Sequence, residues 1–427
     1  MIASLSTPIQ LPCGATLPNR LAKAAMTEGL ADSANHATEA LDRLYRLWAG
    51  GGAGLHITGN VQVDRRYMER PANVAIEDES GLEALRRWAR AGTSGGCHLW
   101  MQISHAGRQT PRYVSSQPVA PSATGLPIPG AAFARPRALT EPEIEDVVRR
   151  FGEAARVARS AGFTGVQVHS AHGYLLSEFL SPHVNRRTDS WGGALEARAR
   201  LLLSVVRAVR AAVGADFPVA VKLNSSDFQK GGFTLEECCR VVQWLGEEGI
   251  DLLEISGGTY EQPSMFGVVG DAQTLDPPPR ESTRRREAYF LEYAAAVRQA
   301  ASMPLMVTGG FRTREAMSEA LEEGNVDVIG LARPLCGMPD APARLLKGAI
   351  DRLPSYEQEI RLGRGRLGPN SPLILAKALN VWAIQAWFCC QIFRMAEDLA
   401  PDLNLGAWRA LLRYQGRELS AARKLKR

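Results

Sequence analysis

The seven cysteines, at 13, 97, 238, 239, 336, 389 and 390, are odd in number and contain no Cys-x-x-Cys pair. That spacing argues against a disulfide framework and against a zinc or iron–sulfur site. The N-terminus, MIASLSTPIQLPCG, has neither a basic opening nor a sustained apolar run, so no secretory signal is read there and the cytoplasm is the default expectation. Excess charge is missing from most of the chain. Between residues 401 and 427, seven Lys and Arg stand against Asp402 and Glu418, so this stretch alone carries the formal net charge of +5. The neutral remainder gives a nucleic-acid partner no electrostatic footing. Finally, no G-x-G-x-x-G turn follows the first strand, which leaves a doubly wound dinucleotide fold without its usual mark.

What the chain does have is 427 residues, 45% of them hydrophobic, enough to bury a large core. Residues 9–11 and 15–17, split by Pro12-Cys13-Gly14, predict a hairpin that closes the bottom of a barrel. Short apolar strands follow at 19–28, 54–63, 97–104, 166–168, 218–224, 251–256, 304–308 and 326–330. Helical stretches separate them, among them 41–48, 140–161, 194–213, 235–248, 284–301 and 314–323. Eight strands alternating with helices predict an α/β fold, a (β/α)8 TIM barrel over residues 1–346, with its active residues at the C-terminal strand ends. The helix at 140–161 opens with acidic residues, carries an apolar stripe at 144, 147, 148, 151, 154, 155 and 158, and ends at Gly162. Residues 109–139 contain six prolines and read as a long irregular excursion that serves as a lid over the site.

Reactive residue types gather at two places. The fourth strand ends on His169-Ser170-Ala171-His172-Gly173-Tyr174, three hydrogen-bonding rings within six residues. The loops after strands seven and eight begin Thr308-Gly309-Gly310 and Leu331-Ala332-Arg333. Barrels bind phosphate with these two loops, where glycine permits close backbone approach and arginine offers a planar set of donors.

The segment over residues 165–200 carries a more specific signal. His169-x-x-His172-Gly173-Tyr174-Leu175-Leu176 is followed by Phe179-Leu180-Ser181-Pro182, by Asn185-x-Arg187-x-Asp189-x-Trp191-Gly192-Gly193 and by Arg198. This run resembles the signature of the Old Yellow Enzyme family of FMN-dependent oxidoreductases, and the likeness extends over roughly residues 8–346. The resemblance implies FMN as cofactor and NADH or NADPH as hydride donor. The implied activity is reduction of the activated C=C bond of an α,β-unsaturated carbonyl or nitro compound. It further implies flavin contacts from Met26, Thr27, Gly59, Asn60, Gln102 and Lys222, with Gly309, Gly310, Ala332 and Arg333 at the phosphate. His169 and His172 would bind the substrate oxygen, and Tyr174 would protonate the α-carbon as general acid. Tyr67, Tyr260 and Phe266 follow strands two and six and are candidates to line the substrate pocket. His105 and Arg108 either touch the flavin or make local hydrogen bonds.

Two positions depart from the family pattern. Lys222 stands where an arginine is common, keeping the charge without the planar fork. Thr27 replaces the cysteine of one subgroup, and Glu28-Gly29 lack the tyrosine that follows it there. Relatives with a four-cysteine cluster after the barrel are poor guides to this chain. Alternative readings are a flavin-dependent dehydrogenase or demethylase on the same barrel, which amines or hydroxylated compounds would reduce, and a non-catalytic phosphate-binding barrel, which would purify colourless.

The region 347–427 reads as a helical extension. Residues 372–393 are mainly apolar, but Lys377, Asn380, Gln385 and Gln391 interrupt them, which favours a helix packed on the barrel or at a contact in a homo-oligomer over a membrane span. Arg409, Arg413 and Arg417 fall on one helical face, a row that is either solvated or in touch with an anionic membrane surface.

Overall fold

The computed structural model describes residues 4–126, 132–227, 231–256, 293–365, 368–369 and 371–425. Eight parallel strands form one sheet: β1 (Leu21–Lys23), β2 (Leu55–Ile57), β3 (His98–Ser104), β4 (Gly165–Ser170), β5 (Val219–Asn224), β6 (Leu252–Ser256), β7 (Leu305–Thr308) and β8 (Val328–Leu331). Each pairs with the next, and β8 returns to β1 with Gly330 beside Ala22. The sheet is therefore closed, as the (β/α)8 reading requires.

Successive residues of a strand face opposite sides, so a closed sheet must build two cores. The inner one holds Ala22, Leu55, Ile57, Trp100, Ala220, Leu252, Met306 and Val328. Ile9, Leu11 and Leu17 belong to the same cluster and come from the antiparallel pair Ile9–Gln10 and Thr16–Leu17. The Cys13 N–H at its tip donates to Asp251 Oδ1 at 2.8 Å, which pins the hairpin beneath β6. The outer core takes the alternate residues, such as Val166, Val168, Val221, Leu253 and Val307, and covers them with helices.

Helix Glu141–Ala161 illustrates how local sequence sets this layer. Thr140 and Glu143 form a capping box, a device whose loss typically costs about 1 kcal/mol. Ile144, Val147, Phe151, Ala154, Ala155 and Ala158 of the expected stripe are buried, and Gly162, at φ +92°, ends the helix in the left-handed region. Helix Leu195–Val213 packs on it so closely that a Cβ on Gly152 would lie 3.3 Å from the Ala208 carbonyl.

Several boundaries differ from the sequence reading. The strand expected at 19–28 pairs only over Leu21–Lys23, with one further bond from the Ala24 N–H to the Leu331 carbonyl at 2.8 Å. The strand expected at 54–63 breaks after Ile57 and resumes as Val61–Gln62 beside the end of β3. The break arises because the Gly59 N–H turns to Glu28 Oε1 at 2.9 Å instead of continuing the ladder. Helix Leu82–Thr93 was not singled out from the sequence. Of the helix expected at 284–301, residues 293–300 are described and helical.

The excursion at 109–139 is less irregular than its prolines suggest. It contains the two-residue parallel pair Val119–Ala120 and Arg137–Ala138. Arg187 fastens it by donating to the Pro121 carbonyl at 3.1 Å and the Leu139 carbonyl at 2.6 Å.

The end of the chain folds back as helices Ile374–Ala396 and Ala407–Lys424. Ile384, Trp387, Phe388, Ile392 and Met395 share one continuous core with Leu41, Leu44 and Trp48 of helix Glu39–Ala49, so the helix packs on the barrel. Two of its polar interruptions have structural partners. Asn380 Oδ1 accepts from the Leu362 N–H at 3.0 Å, and Gln391 exchanges two bonds with the Asp402 backbone at 3.0 and 2.7 Å. Among the described residues no helix is long and apolar enough to cross a membrane. Arg409, Arg413 and Arg417 are all exposed. Opposite this row, Glu418 is buried and pairs with Arg70 at 2.6 Å, tying the last helix to the connection that follows β2.

Candidate active site

Above the apolar plug the inner face becomes polar. Gln102 of β3 lies in register with Gln167 of β4, His169 of β4 with Lys222 of β5, and Lys222 with Glu254 of β6. Lys222 Nζ is 2.9 Å from Glu254 Oε1. Glu254 Oε2 accepts from Gln167 Nε2 at 2.7 Å, and Gln167 Oε1 accepts from Gln102 Nε2 at 2.5 Å. A relay of four side chains thus crosses the barrel, all of them buried. Removing two charges from water costs several kcal/mol per ion, and the pair persists because the amide hydrogen bond satisfies the second carboxylate oxygen. Lys222 is therefore an ion-pair residue of the barrel as well as a candidate flavin contact.

The three rings at the end of β4 lie together. The His169 and His172 centroids are 5.2 Å apart and those of His169 and Tyr174 are 4.9 Å apart, both edge to face. His172 at φ +61° and Gly173 at φ +77° turn the chain sharply through the left-handed region, which costs a non-glycine residue about 1–2 kcal/mol. Neighbours hold the turn. The His172 N–H donates to Asn224 Oδ1 at 3.1 Å, its carbonyl accepts from Gln109 Nε2 at 2.6 Å, and its Nε2 is 2.7 Å from Ser256 Oγ.

Both histidines are held neutral. Burial pushes His169 well below the usual imidazole range, with His172 and the Lys222 charge adding to it. His172 is lowered by burial first and by Lys222 second. His169 Nδ1 accepts from the Ala171 N–H at 3.2 Å, which assigns its proton to Nε2. The cluster therefore offers an uncharged N–H donor beside a phenol, an arrangement suited to a carbonyl or nitro oxygen that gains negative charge.

Other residues of the signature segment support this cluster. Asn185 Nδ2 donates to the carbonyls of Phe179 and Trp191, each at 2.8 Å. Arg198 donates to the Leu180 carbonyl and pairs with Glu237 at 2.5 Å. These bonds fix the chain leaving Tyr174 and explain why polar residues occur at those positions.

The residues expected at a flavin fit such a group. Gly309 and Gly310 have φ of +109° and +84°, conformations that favour glycine and leave the backbone open after β7. Arg333, two residues beyond β8, is the N-cap of the short helix Pro334–Gly337, with the Glu357 carboxylate 4.0 Å from its guanidinium. Ala332 packs at the edge of the inner core. Thr308 Oγ1, Asn224 Nδ2 and Asn60 Oδ1 are buried at strand ends without a hydrogen bond among the described residues. Leaving such atoms unmet costs about 1–3 kcal/mol each, so a polar-edged ligand at this mouth would repay them. Met26 is partly buried, with its sulfur 3.6 Å from Cys336 Sγ, and the Thr27 carbonyl accepts from Arg70 at 3.1 Å. The Gly59 N–H is committed to Glu28, so that residue offers its close backbone approach and not a free donor.

Tyr67 lies against His105, with ring centroids 5.4 Å apart, and its hydroxyl accepts from Arg137 at 3.5 Å. Arg108 is buried and donates to the Gly125 carbonyl at 3.2 Å. His105 Nδ1 accepts from the Gly107 N–H at 3.1 Å, the local hydrogen bond weighed from the sequence. Tyr260 and Phe266 lie outside the described residues.

Sequence reasoning missed Gln167, Glu254, Ser256 and Glu69. The first two carry a signal that was available, since each interrupts an apolar strand and turns inward. Glu69 carried none: it sits in a loop crowded with charges, yet its carboxylate accepts from both Tyr174 Oη and Asn60 Nδ2.

Known proteins share both the sequence and the fold of this chain. Residues 4–351 match the family model described as NADH:flavin oxidoreductase / NADH oxidase family. An NADH-dependent flavin oxidoreductase of Talaromyces variabilis is 37% identical over 416 residues, covering 92% of this chain and 98% of that protein. One of Hypocrea jecorina is 38% identical, covering 80% of this chain and 88% of its own length. Against a Neonectria relative, 39% identical, the chain spans only about half the other's length, 47%. Among solved structures, an old yellow enzyme homologue from Zymomonas mobilis superposes with a TM-score of 0.68 at 30% identity, covering 83% of this chain and 95% of that one. A 2-naphthoyl-CoA reductase in complex with 2-naphthoyl-CoA gives 0.74 at 28% identity, covering 81% and 52%. With the closed barrel and the sequence match over residues 4–351 in agreement, the chain belongs to the NADH:flavin oxidoreductase / NADH oxidase family, the family of the Old Yellow Enzymes.

Proposed function

We propose that the protein is an FMN-dependent NADH oxidoreductase that reduces the activated C=C bond of α,β-unsaturated carbonyl or nitro compounds. One observation carries the reading: two neutral imidazoles and a phenol stand edge to face within 5.2 Å at the end of β4. Thr27, Gly59, Asn60, Gln102 and Lys222 would hold the ring system of the flavin, and Gly309, Gly310, Ala332 and Arg333 its phosphate. When bound, the flavin supplies the chemistry of taking hydride from a nicotinamide and passing it on to the alkene.

His169 and His172 receive the substrate oxygen. Neutral N–H donors stabilise the enolate-like charge as it develops, without binding an anion strongly in the ground state. Tyr174 supplies a proton to the α-carbon. NADH is the preferred donor in this reading, since the relatives from Talaromyces and Hypocrea are named for it. The naphthoyl thioester in the solved relative is likewise a conjugated carbonyl compound.

The test is an anaerobic titration of the purified yellow protein with NADH and with NADPH, followed by reoxidation with a panel of enones and nitroalkenes. The expected result is bleaching by a nicotinamide and rapid recovery with at least one electron-poor alkene. A reduced protein that no alkene reoxidises, while dioxygen does, would sink the proposal.

A further inference from the structure

Glu69 is half-buried, and its neighbours on both sides are fixed. The Tyr67 carbonyl accepts from the Ala106 N–H at 3.4 Å, and Met68 is buried. The Arg70 N–H donates to Asn73 Oδ1 at 2.7 Å, while its guanidinium holds the Thr27 carbonyl at 3.1 Å and Glu418 at 2.6 Å. A carboxylate on a mobile loop would lose its aim, whereas this one is supported by a second layer of hydrogen bonds. It reaches Tyr174 Oη from the β2 side, and Asn60 Nδ2 donates to the same oxygen atom.

We propose that Glu69 is a positioning residue for proton delivery, its carboxylate fixing the Tyr174 hydroxyl so that the phenol proton reaches one face of the substrate α-carbon. The inference rests on the ene-reductase reading. In the step, the Tyr174 O–H bond breaks and a C–H bond forms with the electron pair of the enolate-like carbon. The phenolate then regains a proton from water. A turn about the phenol C–O bond swings the hydrogen from Glu69 toward the substrate while the oxygen stays in place.

The test uses the full-length yellow protein and a cyclic enone with an α-methyl group, whose reduced product records which face was protonated. Three proteins are compared: wild type, Glu69→Ala and Glu69→Gln. With Glu69→Ala, reoxidation by the enone should slow by about tenfold, less than the roughly 100-fold expected when the acid itself is removed. Flavin reduction by NADH should slow far less than reoxidation, since it needs no phenol proton and loses only the Asn60 contact to Glu69. Configurational purity at the α-carbon should fall as water competes for the proton. Glu69→Gln keeps an oxygen acceptor and should recover most of the rate and the purity. Wild-type rate and purity in Glu69→Ala would overturn the inference, as would equal slowing of both half-reactions or a glutamine variant no better than alanine. A wild-type protein that leaves every enone untouched would instead be a failure of the ene-reductase reading itself.

Discussion

Lys222 and Glu254 occupy the same register position on adjacent strands, and their charged ends meet at 2.9 Å inside the barrel. Removing one partner leaves an uncompensated buried charge, a loss that typically costs about 3–5 kcal/mol. Lys222→Met should therefore lower the melting temperature markedly, and adding Glu254→Gln should recover most of the loss. If Lys222 also serves the flavin, the stable double variant still reduces slowly with NADH. Wild-type reduction in the double variant would confine Lys222 to its structural pairing.

Tyr174→Phe separates the two halves of the proposed cycle. The ring remains beside His169, and only the hydroxyl is lost. Stopped-flow traces should show flavin reduction by NADH unchanged and reoxidation by an enone slowed by about 100-fold or more, the usual contribution of a general acid. Wild-type rates in both halves would remove Tyr174 from proton transfer.

Replacing both His169 and His172 by Ala removes the two rings proposed to receive the substrate oxygen at the end of β4. Phenols bind such sites through their oxygen and perturb flavin absorbance, so titration of the double variant should show affinity weaker by about tenfold or more, one charge-assisted hydrogen bond or better. An unchanged titration would count against the oxygen-binding assignment.

The buried histidines also set a pH limit on stability. Burial lowers His56 to about 3, aided by the Lys23 charge, and lowers His105 to about 4. An unfolded imidazole titrates near 6.5, so below that pH the unfolded chain binds protons that the folded one refuses. Stability is therefore retained above about pH 6.5 and falls as the medium is acidified toward these values, by about 1.4 kcal/mol per pH unit for each such histidine. His56, buried in β2, has the lower value of the two and is the probe. Urea denaturation of His56→Leu between about pH 6 and pH 5 should show a fall shallower by that amount, and an identical slope would refute the linkage.

The barrel was legible in the sequence because its strands are short apolar runs separated by helical periodicity, and because the β4 cluster concentrates its chemistry within six residues. Polar side chains inside strands were harder to interpret. Glu254 and Gln167 break apolar runs, but only the register reveals that they meet each other and Lys222. The kink at Gly59 was hidden because the apolar pattern runs on through Val61 and Val63 while the backbone hydrogen bond switches to Glu28. Glu69 was the least visible, since Arg65, Arg66 and Arg70 surround it with the charges expected of a solvated loop, and only the folded chain brings it to Tyr174.

The Arg70–Glu418 pair gives the end of the chain an unexpected reach. Glu418 lies nine positions before residue 427, yet its partner Arg70 also grips the Thr27 carbonyl and directly adjoins Glu69. A truncation made to tidy the C-terminus would strand a buried guanidinium beside the Thr27 carbonyl. Loss of turnover in such a shortened protein would then report a disturbed front wall of the barrel, and not the removal of an independent appendage.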